Sequence, residues 1–167
     1  MLYTEGDPRT KNDLWVVPLD GAREPKPFLK TPFNEAQGQF SPDGRWVAYS
    51  SDESGRREVY VRAFSGLDPG ESLGAGGKWQ VSNAGGQEPR WRGDGKELYY
   101  WSGTKLAAVS IQAGAKNIEA GTPRELFPLS SGNYDAAADG RRFLVLNPVG
   151  SAASLTVVTN WPGLLPK

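Results

Sequence analysis

Phe40-Ser41-Pro42-Asp43-Gly44-Arg45-Trp46-Val47-Ala48-Tyr49-Ser50-Ser51 is a hairpin written in residue types. An Asp-Gly pair lies between two extended segments, and the second segment is a run of strand-forming side chains. A two-residue type I′ turn asks for positive φ at both central positions, which Asp tolerates and Gly accepts freely, so that turn is the expectation here. The pattern returns at Trp91-Arg92-Gly93-Asp94-Gly95-Lys96-Glu97-Leu98-Tyr99-Tyr100-Trp101-Ser102, and again from Ala136 through Asp139-Gly140 to Asn147. The three Asp-Gly pairs are 51 and then 45 residues apart.

A period near this length with several short strands per unit is the signature of propeller blades. After each hairpin comes a third strand: Glu58 to Phe64, Lys105 to Ile111, and Ser154 to Thr159. Outer strands follow at Lys78 to Ser82 and Pro123 to Leu129. The register runs back to the start, where Leu2 to Thr4, Asp13 to Leu19 and Pro27 to Lys30 match second, third and fourth strands. The expected fold is all-β, a partial propeller of about 3.5 to 4 four-stranded antiparallel blades forming one domain over 1–167. Its blade segments are about 1–34, 35–85, 86–131 and 132–167. The first blade lacks its innermost strand, and the prolines in Asn160 to Lys167 argue against a regular last one. Such an arc does not close on itself, which leaves open blade faces able to self-associate.

Composition agrees with this reading. Glycine (21) and proline (13) sit between segments rich in Val, Tyr, Trp, Phe and Leu. No long 3.6-residue periodicity is present, so helices are minor. Most of the tryptophans fall within strands, where packing between neighbouring blades explains at least four of Trp15, Trp46, Trp79, Trp91, Trp101 and Trp161.

The string from Phe40 to Ser51, with Glu58-Val59-Tyr60-Val61-Arg62 close behind, resembles the WD40-like blade of TolB and its relatives. The run from Gly121 to Phe127, then Ala138 to Asn147, then Leu155 to Pro162, resembles the C-terminal propeller of bacterial serine/threonine protein kinases. That resemblance implies an upstream kinase domain and membrane helix, neither of which is in this sequence, and an extracytoplasmic (periplasmic) sensor. It also implies a ring of six or more blades, of which this chain supplies the last portion.

The chemistry available is narrow. Without cysteine or histidine the chain has no disulfide, thiolate or imidazole, so no metal and no cofactor is expected. Gly70-Glu71-Ser72-Leu73-Gly74 fits a nucleophile-elbow pattern, but no histidine can serve the serine and no helix follows. Gly74 to Lys78 departs from a phosphate loop at both ends, with Ser72 and Trp79 in the diagnostic places. Asp43, Asp94 and Asp139 recur at one blade position and read as turn formers before metal ligands. Nineteen basic residues balance nineteen acidic ones, so nucleic acid is not an expected partner, despite Arg90-Trp91-Arg92. No apolar stretch is long enough for a membrane span.

What remains is recognition. In a propeller the first strand of each blade lines the channel, and the loops entering it share a face with those joining second to third strands. That places Arg56, Arg57, Gln87, Glu88, Arg90 and Tyr134 as binding residues, with Gln37, Gln39 and Arg92 as polar lining. The expected function is a non-catalytic recognition or sensor module for a protein, peptide or small ligand. Two alternatives stand beside it: a ring completed by homodimerisation, and the propeller portion of a kinase or prolyl-oligopeptidase-like enzyme.

Overall fold

The computed structural model describes residues 1–66, 76–149 and 152–159, and among them every regular element is a strand. The Gly70-to-Gly74 motif and the Asn160-to-Lys167 tail lie outside the described residues. The first sheet runs β1 (Leu2–Asp7), β2 (Lys11–Val16), β3 (Lys26–Leu29), and the second β4 (Ala36–Phe40), β5 (Trp46–Ser51), β6 (Glu58–Ala63), β7 (Lys78–Gln80). The third holds β8 (Gln87–Trp91), β9 (Glu97–Trp101), β10 (Lys105–Ala113), β11 (Ile118–Ala120) and β12 (Arg124–Pro128). The last is β13 (Tyr134–Ala136), β14 (Arg142–Val149), β15 (Ala152–Thr159). All pairings are antiparallel between chain neighbours, except that β10 pairs with both β11 and β12. Those two short strands take opposite ends of β10, so they are one outer strand broken at Gly121 to Pro123. The expected outer strand, Pro123 to Leu129, is its second half.

Alternation of side chains explains why β5 and β9 are buried on both faces. Val47 and Tyr49 join Leu14, Val16, Phe28 and Leu29 between the first and second sheets. Trp46 and Ala48 face the other way, packing with Val59, Val61, Trp91, Leu98, Tyr100 and Val109 between the second and third. Tyr99 then turns toward Phe127, Tyr134, Phe143 and Val145. Each fully buried side chain of this size contributes about 1.5–3 kcal/mol, so inter-sheet packing carries the fold. Trp46, Trp79, Trp91 and Trp101 all belong to these inter-sheet layers.

The Asp-Gly turns differ from the expectation. Gly44, Gly95 and Gly140 have φ of 72°, 71° and 66°, but no Asp of the three is in the left-handed region. Each glycine N–H instead donates to the carbonyl three residues back, at 2.9, 2.9 and 2.8 Å, which is a type I turn followed by a left-handed glycine. The aspartate closes the turn with its side chain: Asp43 accepts from Ser41 Oγ at 2.6 Å and from Arg45 N–H at 3.1 Å. Asp94 and Asp139 accept from Lys96 and Arg141 N–H at 3.0 and 2.9 Å.

Candidate functional site

The innermost strands β4, β8 and β13 lie side by side across three sheets. Glu88, in β8, precedes Pro89, a position biased toward extended backbone, yet its φ is 52°. Gln37, 51 residues earlier at the same place in the repeat, has φ of 60°. Each sits where pairing of the first and second strands slips, between Ala36 and Gln39 and between Gln87 and Arg90. A left-handed non-glycine residue costs on the order of 1 kcal/mol or more, so its surroundings must hold it.

Side chains from neighbouring sheets do so. Gln37 Oε1 accepts from the Glu88 N–H at 3.1 Å and from Ser50 Oγ at 2.7 Å, while Gln37 Nε2 donates to Glu88 Oε1. The Tyr134 hydroxyl donates to the Glu88 carbonyl at 2.6 Å, and burial pushes that phenol well above its ordinary value, keeping it a neutral donor. Arg90 donates to Glu88 Oε2 at 3.2 Å, comes within 3.7 Å of Asp135, and lies 5.7 Å from the centroid of the Tyr134 ring. In the other direction Arg57 donates to Ser50 Oγ at 3.2 Å.

Arg57, Ser50, Gln37, Glu88, Arg90 and Tyr134 are therefore one chain of contacts across three sheets. A pocket of about 280 Å³ opens at its far end, where Asn133, Asp135, Leu144 and Leu146 join Glu88 and Arg90. A wider groove of about 990 Å³ lies at the opposite ends of the strands, between the turns at Asp43 and Asp94. Those two aspartates are already held, by Arg45 and Arg92 at 2.7 Å.

Four of the six residues singled out in the sequence, Arg57, Glu88, Arg90 and Tyr134, meet in the network. Arg56 does not: its Nε donates to buried Glu58 at 2.5 Å and its guanidinium also donates to the Asn83 carbonyl. Gln87 pairs through its main chain with Trp101 and stands outside the network. Tyr134 is a buried support, not an exposed contact. Ser50 is the structure's addition, and Gln37, expected only as polar lining, joins the network at the repeat position it shares with Glu88.

No protein-family model and no curated protein matches the sequence. Solved structures do match. A structure described as TolB from Agrobacterium tumefaciens superposes with a TM-score of 0.54 at 14% identity, over 77% of this chain and 46% of that one. A chain of a nidogen/laminin complex gives 0.62 at 12%, over 95% and 56%. The chain folds as part of a TolB-like β-propeller. The four sheets are its blades, and the network lies along the channel-lining strands and their mouth. A puromycin-hydrolysing peptidase of Mycobacterium tuberculosis also shares the fold, with a TM-score of 0.54 at 19% identity over 86% of this chain and 23% of the peptidase. This chain spans about half the length of the TolB and nidogen/laminin chains, and less of the peptidase.

Proposed function

We propose that this partial propeller is a non-catalytic recognition module that takes a protein or peptide partner at the channel mouth, through Arg57, Glu88 and Arg90 supported by Gln37 and Tyr134. The observation that carries the reading is the pair of left-handed residues, Gln37 and Glu88, at one repeat position. Strain of this kind persists where surroundings over-determine it, and it gathers at binding sites. Arg57 adds a cation that donates to the Ser50 hydroxyl at 3.2 Å and lies in the field of Asp52. A neighbour of the same fold comes from a nidogen/laminin complex, which favours a protein partner over a small ligand. The test is selection of binders from a displayed peptide library on the folded chain. Binders should weaken about tenfold or more with Arg57→Ala or Arg90→Ala. Binders indifferent to both substitutions, but lost on Lys96→Glu in the opposite groove, would remove the assignment.

The likeness to part of a peptidase supports a second reading, in which the propeller serves a catalytic domain in a longer polypeptide, as the kinase resemblance also implies. Sequencing the complete reading frame tests it, and a frame with no catalytic domain ends it. Leu144, 41% exposed on the last blade beside the pocket at Glu88 and Arg90, supports self-association. Light scattering across a concentration series tests this, and a folded monomer throughout rules it out.

A further inference from the structure

The junction of the first and second blades buries two carboxyl groups. Asp13 in β2 is 0% exposed and Glu35, just before β4, is 1% exposed. The Glu35 N–H donates to the Asn12 carbonyl at 2.9 Å, which lays the Glu35 loop alongside β2. One oxygen of each acid has a donor: Thr10 Oγ1 to Asp13 Oδ2 at 2.6 Å, and Thr31 Oγ1 to Glu35 Oε1. The other oxygens, Asp13 Oδ1 and Glu35 Oε2, are buried with no hydrogen-bond partner among the described residues. Lys30 is the nearby cation, 3.9 Å from Asp13, but its closer bond is to Asp7 at 2.8 Å.

The next junction shows that the fold does not need the second acid. There Glu58 occupies the place of Asp13, and its carboxylate accepts from Ser82, from Gly85 N–H at 3.1 and 3.2 Å, and from Arg56. Gly86 stands where Glu35 stands one repeat earlier, and a Cβ there would come within 2.5 Å of Ser82 Oγ. One buried acid with a full set of donors is thus replaced at the first junction by two acids, each half satisfied. A buried unpaired carboxylate is costly, and two side by side more so.

We propose that Asp13 and Glu35 hold one proton between them, with Glu35 Oε2–H donating to Asp13 Oδ1, so that docking of the first blade on the second is controlled by pH. The main-chain bond from Glu35 to Asn12 brings the two acids into each other's field, and one shared proton would give both orphaned oxygens a partner. A bound cation fits less well, because among the described residues no group of three or more acidic side chains gathers to hold one. The charged and titratable groups around the pair are Asp7 and Lys30 from the first blade and Tyr49, Glu53 and Asp52 from the second, with Arg62 beside Tyr49, Glu53 held by Lys78 at 2.6 Å and Asp52 by Lys11 at 3.3 Å. Burial first, and then the charges of Asp13 and Glu53, hold the Glu35 carboxyl above its ordinary range against the opposing Thr31 hydrogen bond. Because the folded value is raised, this contribution to stability is complete below the ordinary carboxyl range. It is lost as pH rises through the folded value. Ionisation then sets two buried carboxylates against each other where the Glu35 loop lies along β2, and the first blade loosens.

Urea unfolding of the 167-residue chain from about pH 5 to about pH 8 tests the proposal. One proton predicts that the unfolding constant of the wild type rises by up to about tenfold per pH unit across the ionisation. Glu35→Gln should abolish the rise, since its amide donates to Asp13 at every pH. An equal slope in Glu35→Gln overturns the proposal. The infrared spectrum of the wild type decides independently of whether the variant folds: a protonated-carboxyl band near neutral pH supports the shared proton, and its absence overturns it. A wild-type midpoint raised by calcium, without that band, would assign the site to a cation instead and equally overturn it.

Discussion

The hydroxyl of Tyr134 donates to the main-chain carbonyl of Glu88 at 2.6 Å, so the innermost strand of the last blade holds the left-handed residue of the blade before it. Tyr134→Phe keeps the ring, its packing against the third blade and its contact with Arg90, and removes only that donor. The expected loss is about 1 kcal/mol, rising toward about 2 if the carbonyl is left without water. Urea unfolding measures it. An unchanged midpoint would mean that Gln37 alone holds Glu88 in its conformation.

Two turn glycines with the same backbone conformation should respond differently to alanine. Gly44 and Gly140 have φ of 72° and 66°, so each substitution carries the left-handed penalty of about 1 kcal/mol. At Gly44 nothing among the described residues lies within 4 Å of the added Cβ. At Gly140 it would meet the Tyr99 hydroxyl at 2.3 Å and Arg92 Cδ at 2.7 Å, in the middle of the junction between the last two blades. Gly44→Ala should therefore cost about 1 kcal/mol, and Gly140→Ala about 2–4, as overpacking is added to backbone strain. Equal midpoints for the two variants would contradict the placement of Gly140.

These differences mark where the sequence stops being legible. Strand positions were readable because Trp46-Val47-Ala48-Tyr49 and its repeats alternate between two buried faces, and a period near 50 residues fixes what repeats. The Asp-Gly turns misled in detail because the same dipeptide suits two turn types. The spacing from Ser41 to Trp46, whose main chains pair across the turn at 2.8 Å, decides between them. In the site, Glu88 and Arg90 were legible from strand position alone. The roles of Arg56 and Tyr134 were not, since each depends on a contact from a different part of the chain: the Asn83 carbonyl for one, and Glu88 in the preceding blade for the other. Glu35 gave no signal by itself. It becomes notable only beside Asp13, with an oxygen of each left unpaired among the described residues.

Acid should weaken the fold through its turn aspartates. The Arg92 guanidinium, donating to both Asp94 oxygens at 2.7 Å, lowers the Asp94 carboxyl to about 2. Ser41 and the Arg45 N–H and guanidinium lower Asp43 in the same direction, against a desolvation that opposes them. A depressed folded value means that this stability is present above the unfolded carboxyl value and is lost as pH falls through the folded one. For Asp94 the window runs from about pH 4 down to about pH 2. Because the Asp94 side chain is 47% exposed, solvent screening should hold its share below about 1 kcal/mol. Asp94→Asn should flatten the acid limb of a stability–pH curve by that amount and leave neutral stability nearly as reduced as acid does. An acid limb of unchanged steepness would place the titrating groups elsewhere.

The junction of the second and third blades depends on Glu58 more than on its arginine partner. Glu58 is fully buried and ties β6 to the loop leading into β8, through Ser82 Oγ and the Gly85 N–H. Glu58→Ala leaves those donors without an acceptor in a closed junction, so the expected loss is about 3 kcal/mol, the range for breaking a buried charged hydrogen-bond set. Arg56 is 59% exposed, and its removal leaves Glu58 with its hydroxyl and amide donors; Arg56→Ala should cost about 1 kcal/mol or less. Since the loop that Glu58 holds runs directly into Gln87 and Glu88, its loss should also weaken channel-mouth binders, at temperatures where the protein is still folded. Arg56→Ala should leave those binders within about twofold of wild type, a difference of a few tenths of a kcal/mol. Thermal unfolding of the two variants, with binding measured on each below its transition, separates the roles. A larger loss from Arg56→Ala than from Glu58→Ala would show that the arginine, and not the buried acid, anchors the junction.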